Sequence, residues 1–334
     1  MKKLALCIST ILSGIYHANA IENNTVEIVY SGTSASITIA SNISSYITVQ
    51  SGTSSHVKLL QSDTFAGVDP TVDNEDGEII YVLSGTSTNG EFYMEGSYKA
   101  TVELNGLTLT NPSGAAIALM DGKRVSVSAK KGTTNTITDG VNDVYNGSLH
   151  CKGHMKLKGK GTLNVVGNSK HAIYSKEYLE VKNLTLNVTA AAKDAIHCKE
   201  YLLMESGTVT ISAATEDGIQ VEQSSDPVTG TTTNHEDENS GNFYMTGGVL
   251  TIKGYSGKAI KTDGIITYSG GTQNFDTNDT EITAGINQSA ISIVNNAATA
   301  VYDLNGRQLS SAARLSKGVY LVKENGTTKK VLKK

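Results

Sequence analysis

The chain has no tryptophan among its 334 residues, only three prolines and three cysteines, and almost no net charge. Each shortage excludes something. Without tryptophan, a flat indole platform for gripping crystalline polysaccharide is ruled out. The balance of 28 basic against 32 acidic residues, net −4, argues against a strongly electrostatic nucleic-acid partner. Beyond residue 20 no segment is apolar enough to span a bilayer. What is abundant is Thr, Ser, Gly and Asn, residues that suit tight corners and stacked strands. The same composition could describe a disordered stalk, but a strict period argues against that.

The period is 23 residues. Leu163, Leu186 and Val209 keep it, as do Val165, Val188 and Ile211, and Ile173, Ile196 and Ile219. Each apolar set alternates with polar neighbours, the signature of short strands with one face buried. A unit repeated at this interval stacks on copies of itself. The predicted fold is all-β, a right-handed parallel β-helix followed by a small C-terminal β-domain. Coils are expected to begin near Leu149, Ile173, Ile196, Ile219 and Ile260. The last step is longer because of a polar insertion from Glu222 to about Gly241, which contains His235-Glu236-Asp237-Glu238.

Residues 1–20 read as a secretory signal: Lys2 and Lys3, an apolar stretch from Leu4 to Ile15, then Ala18-Asn19-Ala20. Residues 21–77 give less regular strands that start or cap the solenoid, which occupies 78–283. A patternless linker, 284–297, leads to the terminal unit, 298–334. After signal cleavage only Cys151 and Cys198 remain, with Ser175 at the equivalent place between them. At roughly 4.8 Å per coil they stand about 9–10 Å apart, too far for a disulfide. Two free, inward thiols are expected.

Three aligned rows could carry chemistry. His154, Tyr178 and Tyr201 form an aromatic row that either packs against sugar rings or is a stabilising surface ladder. Lys152, Lys176 and Lys199 form a basic row that either contacts uronate carboxylates or is a solvated ladder balanced by Glu177 and Glu200. His171, Asp194, Asp217 and Lys258 form a third row, in which Asp194 and Asp217 either share a Ca²⁺ ion or are paired and solvated, Lys258 neutralising Asp217. Asp139 and Asp263 sit in Asp-Gly corners and read as turn residues. A zinc site built from His150, Cys151, His154, His197 and Cys198 is not expected, because alternation places the thiols inside and the imidazoles outside.

Signs of catalysis are weak. Lyase chemistry on uronates wants calcium and a nearby base, and only Arg124 lies in the solenoid. Hydrolysis on such a scaffold wants clustered carboxylates, and no Asp-Asp pair occurs.

Two resemblances add to this. The C-terminal VYDLNGRQL…LSKGVYLVKENGTTKKVLKK resembles the sorting domain of the type IX (Por) secretion system of Bacteroidetes. It implies the type IX secretion machinery as a partner and an outer-membrane surface or extracellular address. Residues 78–266, through phrases such as YVLSGTSTNGEFYMEG, KHAIYSKEYLEVKNLTLNV and KDAIHCKEYLLMESGTVTISAATEDGIQVE, resemble a family of secreted bacterial carbohydrate-binding β-helix proteins related in fold to pectate lyases. That resemblance implies binding of plant-type or acidic polysaccharide, with calcium sites. After TITDG the segment VNDVYNGSLH carries only Asp143, short of the acidic residues usual in that family. The function expected is non-catalytic polysaccharide binding by a monomer, with a calcium-dependent polysaccharide lyase and a structural adhesin as alternatives.

Overall fold

The computed structural model describes residues 21–50, 55–62, 77–224, 238–276, 300–302, 308–309, 318–324 and 327–333. The expected signal segment, the linker 284–297 and His235-Glu236-Asp237 lie outside the described residues. Among those described, the only helical element is the short 3₁₀ turn Ser44–Tyr46, and no helix is long and apolar enough to cross a membrane.

The repeat becomes three stacked faces. In the coil that follows Asn146, the strand Gly147–Cys151 lies on face one, Met155–Gly159 on face two and Thr162–Gly167 on face three. The next coil repeats this with His171–Ser175, Leu179–Lys182 and Leu184–Ala191. Every strand pairs in parallel with its counterpart one coil away. Face one forms a nine-stranded sheet, and faces two and three form one sixteen-stranded sheet. Large parallel sheets wound in this order are the architecture of a parallel β-helix.

The register explains why the period is strict. Ile173 pairs with Ile196, Ile196 with Ile219, and Ile219 with Ile260, so the four isoleucines form one column. Leu163, Leu186, Val209 and Leu250 form another on face three. All are buried in one continuous core. An inward side chain rests on its equivalents above and below, so a change of size in one coil leaves a gap in the stack. The step from Ile219 to Ile260 keeps register despite its length: Glu222 pairs with Lys199 before the insertion, and Asn242 with Tyr201 after it.

The amino-terminal strands belong to the same sheets. Thr25–Ser31 pairs in parallel with Ile79–Ser87, and His56–Gln61 with Glu91–Gly96. Antiparallel strands Ser34–Ile39 and Ile47–Val49 lie along their outer edges, satisfying backbone groups that the first coil would expose. The sequence pattern offers a strand at Ala100–Leu104, with Leu107–Thr110 closing the turn of the coil, and the structure joins the two. Ala100–Asn111 is a single strand spanning faces two and three. Gly106, at φ +76, and Gly85, at φ +85, let the two backbones bend where their pairing shifts register, from Leu83 with Leu104 to Gly85 with Leu107. A Cβ on Gly85 would fall 2.1 Å from the Tyr30 carbonyl oxygen, so no other residue fits.

Strands Ala300–Tyr302, Gln308–Leu309, Gly318–Glu324 and Thr327–Lys333 form a separate four-stranded antiparallel sheet. The two cysteines are free and buried, as expected, with Ser175 in register between them.

Truncating one member of the isoleucine column tests the stacking. Ile196→Ala should cost about 2–5 kcal/mol of stability, read as a lowered urea midpoint. A loss below about 1 kcal/mol would mean that the site is not a packed interior position.

Candidate functional site

Alternation along face one sends Leu149 and Cys151 inward and His150 outward, and repeats this for Ile173, Ser175 and Tyr174 and for Ile196, Cys198 and His197. The outward column runs Tyr93, Ala118, His150, Tyr174, His197, Gln220 and Lys261, one residue per coil. His150 and Tyr174 stack with centroids 5.2 Å apart, and Tyr145 meets His150 edge-on at 5.4 Å. Tyr174 lies 5.9 Å from His171 and 5.5 Å from His197. These rings are packed on one another and mostly buried, forming a ring-paved floor.

The lysine row borders this floor, because Lys152, Lys176 and Lys199 follow Cys151, Ser175 and Cys198 in register. Lys152 and Lys176 are exposed. Lys199 is held 3.3 Å from Glu222. Among the described residues neither Lys152 nor Lys176 forms an ion pair.

The aromatic row lies just past the lysines, at the corner leading to face two. His154 stacks on Tyr178 at 4.2 Å, and Tyr178 on Tyr201 at 4.9 Å. Tyr201 is only 1% exposed, so its face is not open to a sugar ring. Of the two readings for this row the ladder fits Tyr201, while His154 and Tyr178 stay partly exposed. Glu177 and Glu200 are spent on His154, whose Nε2 lies 3.1 and 3.4 Å from their carboxylates, rather than on the lysines. Burial raises the Glu177 pKa, and the neighbouring Glu200 charge adds to it against the opposing pull of His154.

The Asp row divides its duties. Asp194 is buried, and its Oδ1 accepts the backbone N–H of Asp217 at 2.9 Å. Its Oδ2 faces Nδ1 of His197 at 3.1 Å and Nδ1 of His171 at 3.3 Å. Burial alone would raise the Asp194 pKa. The two imidazoles and the Asp217 amide outweigh it and hold the carboxyl well below the usual carboxylate range. Asp217 turns the other way: Oδ1 accepts the backbone N–H of Lys258 at 2.7 Å, and Oδ2 pairs with the Lys261 ammonium at 3.3 Å. Lys258 therefore contributes its amide, and Lys261 supplies the charge expected of Lys258. Asp194 and Asp217 do not form an oxygen cage; the donors gathered at Asp194 are two nitrogens and one oxygen, a set that does not suit Ca²⁺.

Asp139 acts as a turn residue, accepting the backbone N–H of Asn168, and Asp263 accepts that of Gln223 at 3.0 Å. Asp143 is exposed. Cys151 and Cys198 point inward as expected, and burial pushes the Cys151 thiol up to about 12. The imidazoles of His150 and His154 stay apart from them, but His197 meets His171 and Asp194 in a cluster whose ligand atoms lie within 4.8 Å of one another. Sequence reasoning missed this cluster. Its signal was there: His171 stands one coil from Asp194, and Asp194 stands three residues before His197.

Residues 66–329 match the model of the carbohydrate-binding domain-containing protein family. Among solved structures, a polysaccharide lyase-like protein from C. thermocellum, determined as a gadolinium derivative, is similar with TM-score 0.57 at 18% identity, covering 74% of this chain and 99% of that one. At that identity the likeness speaks for the fold. No curated protein matches the chain.

The floor carries a pH signature. Nδ1 of His150 accepts the Asn146 backbone N–H at 3.2 Å, which requires a neutral ring there. Burial, with Lys170 nearby, lowers its pKa to about 4. A histidine depressed on folding contributes stability above its unfolded pKa of about 6.5 and loses it as pH falls toward 4. His150→Phe lacks this contribution, so the stability gap between wild type and variant should narrow from pH 7 to pH 4 in urea titrations. A gap that stays constant or widens would contradict it.

Proposed function

Because the chain belongs to the carbohydrate-binding domain-containing protein family, we propose that it is a secreted, non-catalytic binder of an extended acidic polysaccharide laid across the coils of face one. The observation that carries this is the rail of exposed Lys152 and Lys176, one coil apart beside the ring-paved floor, with Lys199 continuing it. Ammonium groups about 4.8 Å apart suit a polymer presenting carboxylates along its length. Partly exposed Tyr178 and His154 next to the rail offer apolar ring edges to the same strand.

Calcium assistance belongs to this proposal. With Asp194 buried among imidazoles, the partly exposed carboxylates beside the rail are Glu177 and Glu200, which would exchange their pairing with His154 for the ion and bridge through it to uronate groups. Export rests on the features of residues 1–20 and on the terminal phrase, which together point to delivery by type IX machinery to the outer-membrane surface or beyond. The lyase reading is weaker: the one solenoid arginine, Arg124, one coil before His154, is bound to Glu78 at 2.8 Å and to Ser126 at 3.0 Å.

Retention on immobilised polygalacturonate tests the proposal. Wild type should be retained, with retention falling as salt rises and weakened by a calcium chelator. Lys152→Ala/Lys176→Ala should bind about tenfold more weakly, about 1.4 kcal/mol. An unsaturated, ultraviolet-absorbing product would make the protein a lyase. Absence of retention on any glycan would favour the adhesin.

A further inference from the structure

We propose that His171, Asp194 and His197 form a binding site for a borderline divalent transition ion of the Zn²⁺ class, which staples two successive coils together. This goes beyond glycan binding and does not depend on it. The ligands come from adjacent windings: His171 opens the strand His171–Ser175, while Asp194 and His197 flank the start of Ile196–Lys199 one coil on.

The donor chemistry is that of zinc, two imidazoles and a carboxylate, which leaves one position of a tetrahedron for water. The spacing agrees. Ligands at 2.0–2.1 Å from a tetrahedral ion stand about 3.3 Å apart, and the Asp194 Oδ2 to Nδ1 distances are 3.1 Å for His197 and 3.3 Å for His171. The second observation is His171 itself. It is 8% exposed, and its Nδ1 finds no hydrogen-bond partner, although it stands so close to Asp194. A buried nitrogen aimed at a carboxylate without a hydrogen bond costs stability unless something else takes its lone pair.

The surroundings resemble those of a metal site. Metal-bound histidines usually donate their second ring N–H to a carboxylate, and Nε2 of His197 lies 3.4 Å from Glu222. The carboxylate is likewise held, its other oxygen accepting the Asp217 amide. Tyr174 packs against both imidazoles and limits their rotation. His197 is 7% exposed, so the cluster sits just beneath the face-one surface, within reach of an ion from solvent.

The test uses the full mature chain, purified without a polyhistidine tag and stripped with chelator. Zn²⁺ titrated by calorimetry should bind with one equivalent per chain and raise the thermal midpoint, with Ca²⁺ and Mg²⁺ giving no such rise. Co²⁺ should produce the visible absorption of a tetrahedral or five-coordinate ion. His171→Ala and His197→Ala, confirmed as folded by circular dichroism, should weaken Zn²⁺ binding at least a hundredfold, while Glu177→Gln/Glu200→Gln leaves it unchanged. If a histidine variant fails to fold, Glu222→Gln gives the answer through a tenfold or greater loss of affinity. Zn²⁺ and Co²⁺ that do not bind the stripped wild type would overturn the proposal. So would binding unaffected by loss of either histidine, or binding abolished by the Glu177/Glu200 change. Glycan retention is scored separately, so failure here leaves the polysaccharide reading standing.

Discussion

The structure depends on one constraint: each coil must lay its backbone in register on the coil before it. Parallel pairing between coils satisfies the main-chain groups of all three faces, and it does so only while each winding keeps its strands in step with those before it, local bulges absorbing the extra residues. The inward positions then have no freedom. Ile173, Ile196, Ile219 and Ile260 occupy one column because a side chain there is bounded by its own equivalents. Outward positions are free to vary, and function is written in those.

Corners are where the constraint is hardest to meet, since pairing lapses and amides lose partners. Polar side chains take over. Asp194 accepts the amide of Asp217 from the next coil, Asp217 that of Lys258, and Asn242 that of Ile265. A row of acids at equivalent corners therefore has a structural use that competes with metal binding, and each carboxylate can serve only as many donors as its two oxygens allow. At Asp194 one oxygen does the structural work and the other faces two histidines. Building and binding are thus combined in a single side chain.

Much of this was legible in the sequence. The 23-residue interval gave the columns, the coil starts and the separation of Cys151 from Cys198, because inward positions obey a simple alternation. The family resemblance likewise agrees with the carbohydrate-binding family match. Less legible was what happens outside. Alternation says that His150, Tyr174 and His197 point outward, yet they are buried, since Tyr145, His171 and the rings themselves cover one another. Tyr201 is hidden for the same reason. His171 and His197 differ in their position within the repeat, so neither belongs to the other's row. They meet diagonally across two coils, a relation that a search along single columns passes over. The continuity of Ala100–Asn111 was also hidden, because Gly106 looks like a break and serves as a bend.

The most direct measurement of the stacking is a pair of engineered disulfides on the lysine rail. Lys176→Cys/Lys199→Cys places two thiols on neighbouring coils, about 4.8 Å apart at the backbone and within bridging range. Lys152→Cys/Lys199→Cys places them two coils apart, beyond it. Under mild oxidation the first pair should close within the monomer, as read by thiol titration and mass spectrometry, and the second should stay reduced. Equal closure of both pairs, or closure of the second alone, would contradict a solenoid wound one repeat per coil.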